Sequence, residues 1–235
     1  MLFKSATIRL FRIASGWPNP ASVARVSRSA GLPALAPLVL LAEIKEEFIM
    51  RKNLGAKPYT YPQPVFIIGS YGPDGTPDAM NAAWGGISDT TELSLCLSAG
   101  HKTVKNILER KAFTVSMADA AHVVECDYLG VVSANDVSDK LANAGFHTTK
   151  SEFVDAPLID ELAMAVECRL VSYDPQTGHL VGEIVNVSVD ESVLTSEGKV
   201  NVDKLAPIVF DSVNAAYYKL GEKVGNAFSD GQKLK

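Results

Sequence analysis

The chain is predicted to be mainly β, an antiparallel barrel, closed or split, decorated with short helices. Three observations carry this. Two long Val-rich runs, residues 163–173 and 179–189, are joined by the turn residues Asp174-Pro-Gln-Thr-Gly178. A second pair, Pro64 to Tyr71 and Asp78 to Ser88, flanks Gly72-Pro-Asp-Gly-Thr76. Both have hairpin chemistry. Two shorter apolar runs, Leu93 to Leu97 and Ala112 to Met117, stand on either side of one helical stretch. Hairpins this long would leave open edges, which a barrel removes.

Between the strands lie four helical candidates. Val104, Ile107 and Leu108 recur at helical spacing with Arg110 and Lys111 in the last turn, and Thr103 is the expected N-cap. Asp119 can cap a helix through Tyr128, and Asp136 or Ser138 one that ends at Gly145. A final helix is predicted from Ser212 to about Glu222, with Val213, Ala216, Tyr217 and Leu220 on one face.

The first of these helices follows Ser98-Ala-Gly-His-Lys-Thr-Val-Lys-Asn106. Its start would present free N–H groups and the positive end of the macrodipole, with His101, Lys102 and the Thr103 hydroxyl adding donors. A cofactor phosphate fits there. An ordinary helix start with a solvated lysine fits the same residues. The chain has neither Gly-x-Gly-x-x-Gly nor Gly-x-x-x-x-Gly-Lys-Ser/Thr, so the site would not be of Rossmann or P-loop type.

Composition suits one soluble globular domain: 235 residues, 47% hydrophobic and 21% charged, with formal net charge -5. Residues 1–49 hold six Lys or Arg against three acids, leaving 16 against 24 in the remainder. An acidic body argues against a nucleic-acid partner. The first 49 residues also lack any acid before Glu43, scatter four prolines among Ser and Arg, and contain one apolar run, Leu32 to Ala42, too short to span a bilayer. A secretory signal, a transit peptide and an upstream extension before a start at Met50 all fit. The break in composition at Met50 favours the extension, with residues 50–235 as the domain.

Three cysteines, Cys96, Cys126 and Cys168, form no Cys-x-x-Cys and suggest a reducing, cytoplasmic setting. Cys96 and Cys168 sit in apolar strand patterns and are expected to be buried; Cys126 lies in a more polar segment, where either an inert or a reactive thiol is open. The four His residues are scattered, so no metal site is expected.

Four segments in order carry a resemblance to a known family: Pro64-Val-Phe-Ile-Ile68, Met80-Asn-Ala-Ala-Trp-Gly-Gly86, His101-Lys-Thr-Val-Lys-Asn-Ile107 and Tyr218-Lys-Leu-Gly-Glu-Lys-Val-Gly-Asn-Ala-Phe228. Between them fall Asp127-Tyr-Leu-Gly-Val-Val-Ser133, Asp139-Lys140, Ala156-Pro-Leu-Ile159 and Glu167-Cys168. Across residues 50–235 the chain resembles flavoredoxin and its relatives in the flavin reductase-like, FMN-binding split-barrel group.

The resemblance implies FMN as cofactor. Its phosphate would be held around Ser98, His101, Lys102, Thr103 and Asn106, and Asn81, Ala82, Ala83 and Trp84 would run beside the isoalloxazine ring. It also implies a homodimer, with NAD(P)H or a ferredoxin-like protein as electron donor. No side-chain acid and base pair is needed when the flavin carries the electrons. His179 resembles a position near the cleft, with a turn-flanking role as the alternative, and His147 is a weaker candidate. Two other readings remain: an electron carrier paired with an iron-sulfur protein, and an enzyme of the pyridoxamine-phosphate oxidase type. The second would need another basic cluster.

Overall fold

The computed structural model describes residues 51–235. The expected extension, residues 1–49, lies outside the described residues. A compact unit runs from Ala56 to Lys235.

Its centre is a seven-stranded, wholly antiparallel sheet. In chain order the strands are β2 (Phe66–Tyr71), β3 (Pro77–Ala82), β4 (Gly85–Asp89), β5 (Glu92–Cys96), β6 (Ala112–Met117), β9 (Met164–Asp174) and β10 (His179–Val189). Their order across the sheet is β3-β2-β6-β9-β10-β5-β4. β3 and β4 occupy opposite edges, yet only Ala83 and Trp84 separate them in sequence. Three residue steps cover at most about 11 Å, so the sheet curls until its edges nearly meet. This is a split barrel.

The link corrects the single strand expected over residues 78–88. The chain must leave one edge and join the other, and it breaks at Ala83–Trp84. β4 then runs so close to β5 that a Cβ on Gly85 would lie 2.5 Å from a Leu95 methyl. Glycine is the residue that permits the approach.

Alternation along β2 builds two cores. Phe66 and Ile68 point into the barrel with Leu93, Leu95, Phe113, Val115 and Leu180. Val65 and Ile67 face an outer layer with Cys126, Leu129, Leu141 and Phe146. That layer is formed by α2 (Val123–Val131) and α3 (Lys140–Asn143), with a two-stranded sheet of β7 (Thr148–Lys150) and β8 (Pro157–Ile159). The helix α1 (Lys102–Arg110) closes one end of the barrel with Val104 and Ile107. Inside, a Cβ on Gly182 would lie 2.4 Å from the Phe113 ring, so this glycine makes the space the ring fills.

The helix expected over residues 212–222 is absent. A three-stranded sheet takes its place: β1 (Gln63–Pro64), β11 (Ile208–Asp211) and β12 (Ala216–Lys219), with one short helix, α4 (Val202–Leu205), before it. The reason is local. Asp211 Oδ1 accepts from the N–H groups of Val213 and Asn214, and Oδ2 from the Asn214 side chain at 2.7 Å. An aspartate turn therefore competes with the helical pattern, and pairing of β12 with β11 decides the outcome. The helix expected to end at Gly145 is a single turn, though Gly145 does supply the left-handed stop at φ 75°.

Candidate functional site

A cleft of about 650 Å³ opens where the sheet edges meet, within the ~300–1,000 Å³ range of small-molecule sites. One wall is the end of β3 and the link, Met80 to Trp84. A second is the end of β5 and the loop into α1, including Leu97, Ser98, His101, Lys102 and Thr103. The C-terminal half of α2 with the following loop, Leu129 to Ala134, forms a third, and the β9–β10 turn, Pro175 to Gly178, a fourth.

Local sequence explains each wall. Ala82 and Ala83 keep the link slim. Gly130 lets α2 approach β3, since a Cβ there would sit 3.1 Å from Asn81 Cβ. Asn81 is pinned by its own amide, whose Nδ2 donates to the Cys126 carbonyl at 3.0 Å. The β9–β10 turn is held by Asp174, which accepts from Gln176 N–H at 2.8 Å and Thr177 hydroxyl at 2.8 Å. Leu97 N–H donates to the Gly178 carbonyl at 2.8 Å, tying that turn to the β5 end.

Helix α1 starts at Lys102, with His101 as N-cap at φ -65° and ψ 139° and no side-chain capping bond. This corrects the expectation for Thr103. Its hydroxyl is buried in the first turn and donates to Asp78 Oδ2 at 2.6 Å. The first-turn N–H groups thus have no capping side chain, and the turn contains no acid.

Among the described residues no acidic side chain lines the cleft, and three basic ones do: His101, Lys102 and Lys140. Lys140 is only 3% exposed. Burial lowers its pKa, and attraction to Asp78 opposes that shift. Burial in turn raises the Asp78 pKa, with the Thr103 hydrogen bond opposing. Among the described residues no carboxylate lies within ion-pair distance of the Lys140 ammonium. A buried cation so placed favours an anion in the cleft.

The residues singled out in the sequence divide as follows. Asn81, Ala82, Ala83, Trp84, Ser98, His101, Lys102 and Thr103 all line the one cleft. Asn106 does not. It lies one turn beyond Thr103 on the sheet-facing side of α1, buried, with Nδ2 donating to Ser70 Oγ at 3.2 Å. Cys96, expected to be buried, is exposed, because Leu93 and Leu95 take the inward positions of β5. Cys126 and Cys168 are buried, and burial pushes both thiols up to about 12, which leaves them protonated and unreactive.

His179 opens β10 opposite Cys96, on the surface and outside the cleft lining. His147 is also on the surface, 2.6 Å from Glu161 Oε1, a contact that raises its pKa. Glu167 is structural: it is buried in β9, where it accepts from Ser151 Oγ and, at 2.7 Å, from Asn186 Nδ2. Lys140 and the α2 wall were not singled out as site residues. Lys140 belongs to the Asp139-Lys140 segment that carries the resemblance, and nothing in its spacing marks it as buried. Among the described residues no group of three His, Cys, Asp or Glu is placed to hold a metal ion. No described helix is long and apolar enough to cross a membrane.

Fold and cleft together define a protein of the split-barrel class, with one basic end to its binding cleft. The chain belongs to the flavin reductase-like domain family, whose model matches residues 59–211. Flavoredoxin of Desulfovibrio vulgaris (Miyazaki F) is 38% identical with a TM-score of 0.74, covering 77% of this chain and 100% of that one. Flavoredoxin from Methanosarcina acetivorans is 25% identical with a TM-score of 0.72, covering 79% and 100%. An FMN-binding domain of a flavin reductase-like enzyme from Shewanella baltica OS155 shares the fold at 20% identity, with a TM-score of 0.62 over 70% and 89%.

Proposed function

We propose that this chain is an FMN-dependent oxidoreductase of the flavin reductase and flavoredoxin type, passing electrons from NAD(P)H or a protein donor to a small acceptor. The observation that carries the reading is the polarity of the cleft. An uncapped helix start, His101, Lys102 and buried Lys140 form a basic end without a lining acid. The slim Asn81–Trp84 link forms another wall. A phosphate at the first and a flat ring beside the second match the shape and charge of a flavin mononucleotide.

When bound, FMN would supply the chemistry, accepting a hydride and releasing electrons. The chain's residues would bind and orient it. Ser98, His101, Lys102 and the amides of the first α1 turn would hold the phosphate, with Lys140 adding charge. Asn81, fixed by its bond to Cys126, would hold the link in register beside the ring. Thr103 would act through Asp78, keeping that carboxylate bonded to the barrel, and Asn106 would serve only to anchor α1 to β2. The family name and the FMN-binding description of the Shewanella domain support the cofactor. The absence of any adenosine fingerprint favours FMN over FAD.

The test is to purify the protein, release its ligand and weigh it, then add NADH, NADPH or reduced ferredoxin anaerobically. The expected result is FMN, bleached rapidly by a nicotinamide. FAD, or no flavin after reconstitution, would defeat the reading; bleaching by ferredoxin alone would make the protein an electron carrier. We read residues 50–235 as a flavin reductase-like FMN-binding domain working in the cytoplasm and residues 1–49 as an extension. A chain lacking 1–49 is expected to keep the flavin content and melting temperature of the parent. Loss of flavin or a melting point many degrees lower would place that segment in the domain.

A further inference from the structure

Beneath the first two turns of α1, the barrel end closes on four polar side chains, Ser70, Asp78, Thr103 and Asn106, none more than 6% exposed. Ser70 and Asp78 are opposite each other in the register of β2 and β3. Thr103 and Asn106 lie one turn apart on the helix above them. The Thr103 hydroxyl donates to Asp78 Oδ2 at 2.6 Å, and Asn106 Nδ2 donates to Ser70 Oγ at 3.2 Å. Among the described residues neither Asp78 Oδ1 nor Asn106 Oδ1 has a hydrogen-bond donor, and both are buried. A buried acceptor without a donor is costly, and a buried ionised carboxylate in that position more so. One proton relieves both atoms, because a carboxylic acid donates where a carboxylate can only accept.

The charges that act on Asp78 are Lys140 from α3 and Lys102 from α1. From β2 comes the Ser70 hydroxyl, which is neutral, and α2 packs on the other face of β3, against Asn81. Burial holds the Asp78 pKa above the ordinary carboxylate value, opposed by the Thr103 bond, Lys140, the Ala79 amide and Lys102. Those two lysines also line the cleft. An ionised Asp78 and an anion in the cleft therefore compete for the same pair of cations.

We propose that Asp78 takes up a proton from solvent as the flavin phosphate enters the cleft, which leaves Lys140 and Lys102 to the anion. This deepens the cofactor reading and rests on it. The proton sits on Oδ1, and Asn106 Oδ1 accepts from it, giving Asn106 a second bond to the sheet. Asp78 is then a positioning residue, acting on the phosphate through the two lysines. The coupling is reciprocal: the anion raises the proton affinity of Asp78, and the proton raises the affinity for the anion. Its sign follows from the proton count. The filled cleft holds one proton more, so FMN affinity falls as pH rises through the interval between the Asp78 pKa of the empty cleft and that of the filled one.

The experiment titrates FMN into the full-length apoprotein, parent and Asp78→Asn, and follows flavin fluorescence from about pH 6 to about pH 9. Asparagine keeps the shape of the protonated acid, offers an amide donor in place of the Oδ1 proton, and cannot ionise. The two proteins are expected to bind FMN alike at the low end. By the high end the ratio of parent Kd to variant Kd is expected to rise at least about tenfold, the equivalent of one pKa unit between empty and filled clefts. The flavin phosphate and His101 are common to both proteins, so the ratio isolates position 78. Infrared difference spectra, filled minus empty, of the parent labelled with 13C-aspartate provide a readout that needs no variant. At the pH where the parent profile is steepest they are expected to show a carboxylate band lost and a protonated carboxyl band gained, an exchange that a purely structural Asp78 would not produce. Parallel pH profiles, or spectra without that exchange, overturn the inference and leave the cofactor reading standing. No FMN binding at any pH overturns both.

Discussion

The two ends of helix α1 obey opposite rules. At the C-terminal end Arg110 lies where the helix dipole favours a cation. Its guanidinium donates to the Gly72 carbonyl at 2.6 and 3.0 Å, to the Pro73 carbonyl at 2.9 Å and to Asp155 at 3.2 Å. Lys111 then closes the helix in the left-handed conformation, its N–H on the Ile107 carbonyl at 2.8 Å. At the N-terminal end the basic residues His101 and Lys102 stand against the positive pole, no side chain caps the turn, and the first turn contains no acid. One end satisfies its own groups and ties down the Gly72–Thr76 turn. The other leaves its donors for something else. A helix terminus that breaks the stability rules while its far end keeps them is the pattern expected of a binding site.

The comparison can be broken most forcefully at the basic end. Replacing His101 and Lys102 together by Ala is expected to raise the FMN Kd at least ~100-fold, since each charge-assisted bond to phosphate contributes about 1.5–3 kcal/mol. Fluorescence titration of the apoprotein measures it, and an unchanged Kd would move the phosphate elsewhere. The melting temperature is expected to hold, because neither side chain is part of the core.

Arg110→Ala is the reverse case. Four hydrogen bonds from one guanidinium are lost, and stability is expected to fall by about 1–3 kcal/mol in denaturant titration, with the FMN Kd within about twofold of the parent. A large loss of affinity without loss of stability would show that the two ends are not separable.

The smallest effect sharpens the contrast. Lys102→Glu places an acid in the first turn, where the dipole favours it, and is expected to stabilise the apoprotein by about 0.3–1 kcal/mol while weakening FMN. If the substitution destabilises the apoprotein, the N-terminal end has a structural role that its geometry does not reveal.

The family resemblance, the hairpins and most of the cleft were legible in the sequence, because those features rest on neighbouring residues. Turn chemistry at Gly72–Thr76 and Asp174–Gly178 marks two hairpins wherever the strands go. The helix-start pattern at His101–Thr103 likewise needs only adjacent residues. Asp211–Asn214 was the exception: its local turn chemistry was present, but a helical spacing of apolar residues overlay it, and only pairing with β11 selected the strand.

The sequence by itself determined which segments extend, which turn, and that a basic helix start would stand next to slim, small residues. Tertiary structure alone decided how the strands order themselves. That order splits the 78–88 run at Ala83–Trp84, because one strand cannot belong to both edges of a curled sheet. It also decided the destinations of side chains. The Thr103 hydroxyl went to Asp78, Asn106 to Ser70, Cys96 to the surface and Lys140 to the buried wall of the cleft. Each of those outcomes is set by residues distant in sequence and near in space. Burial and long-range pairing depend on where the whole chain closes, whereas propensity and turn chemistry are settled within a few residues.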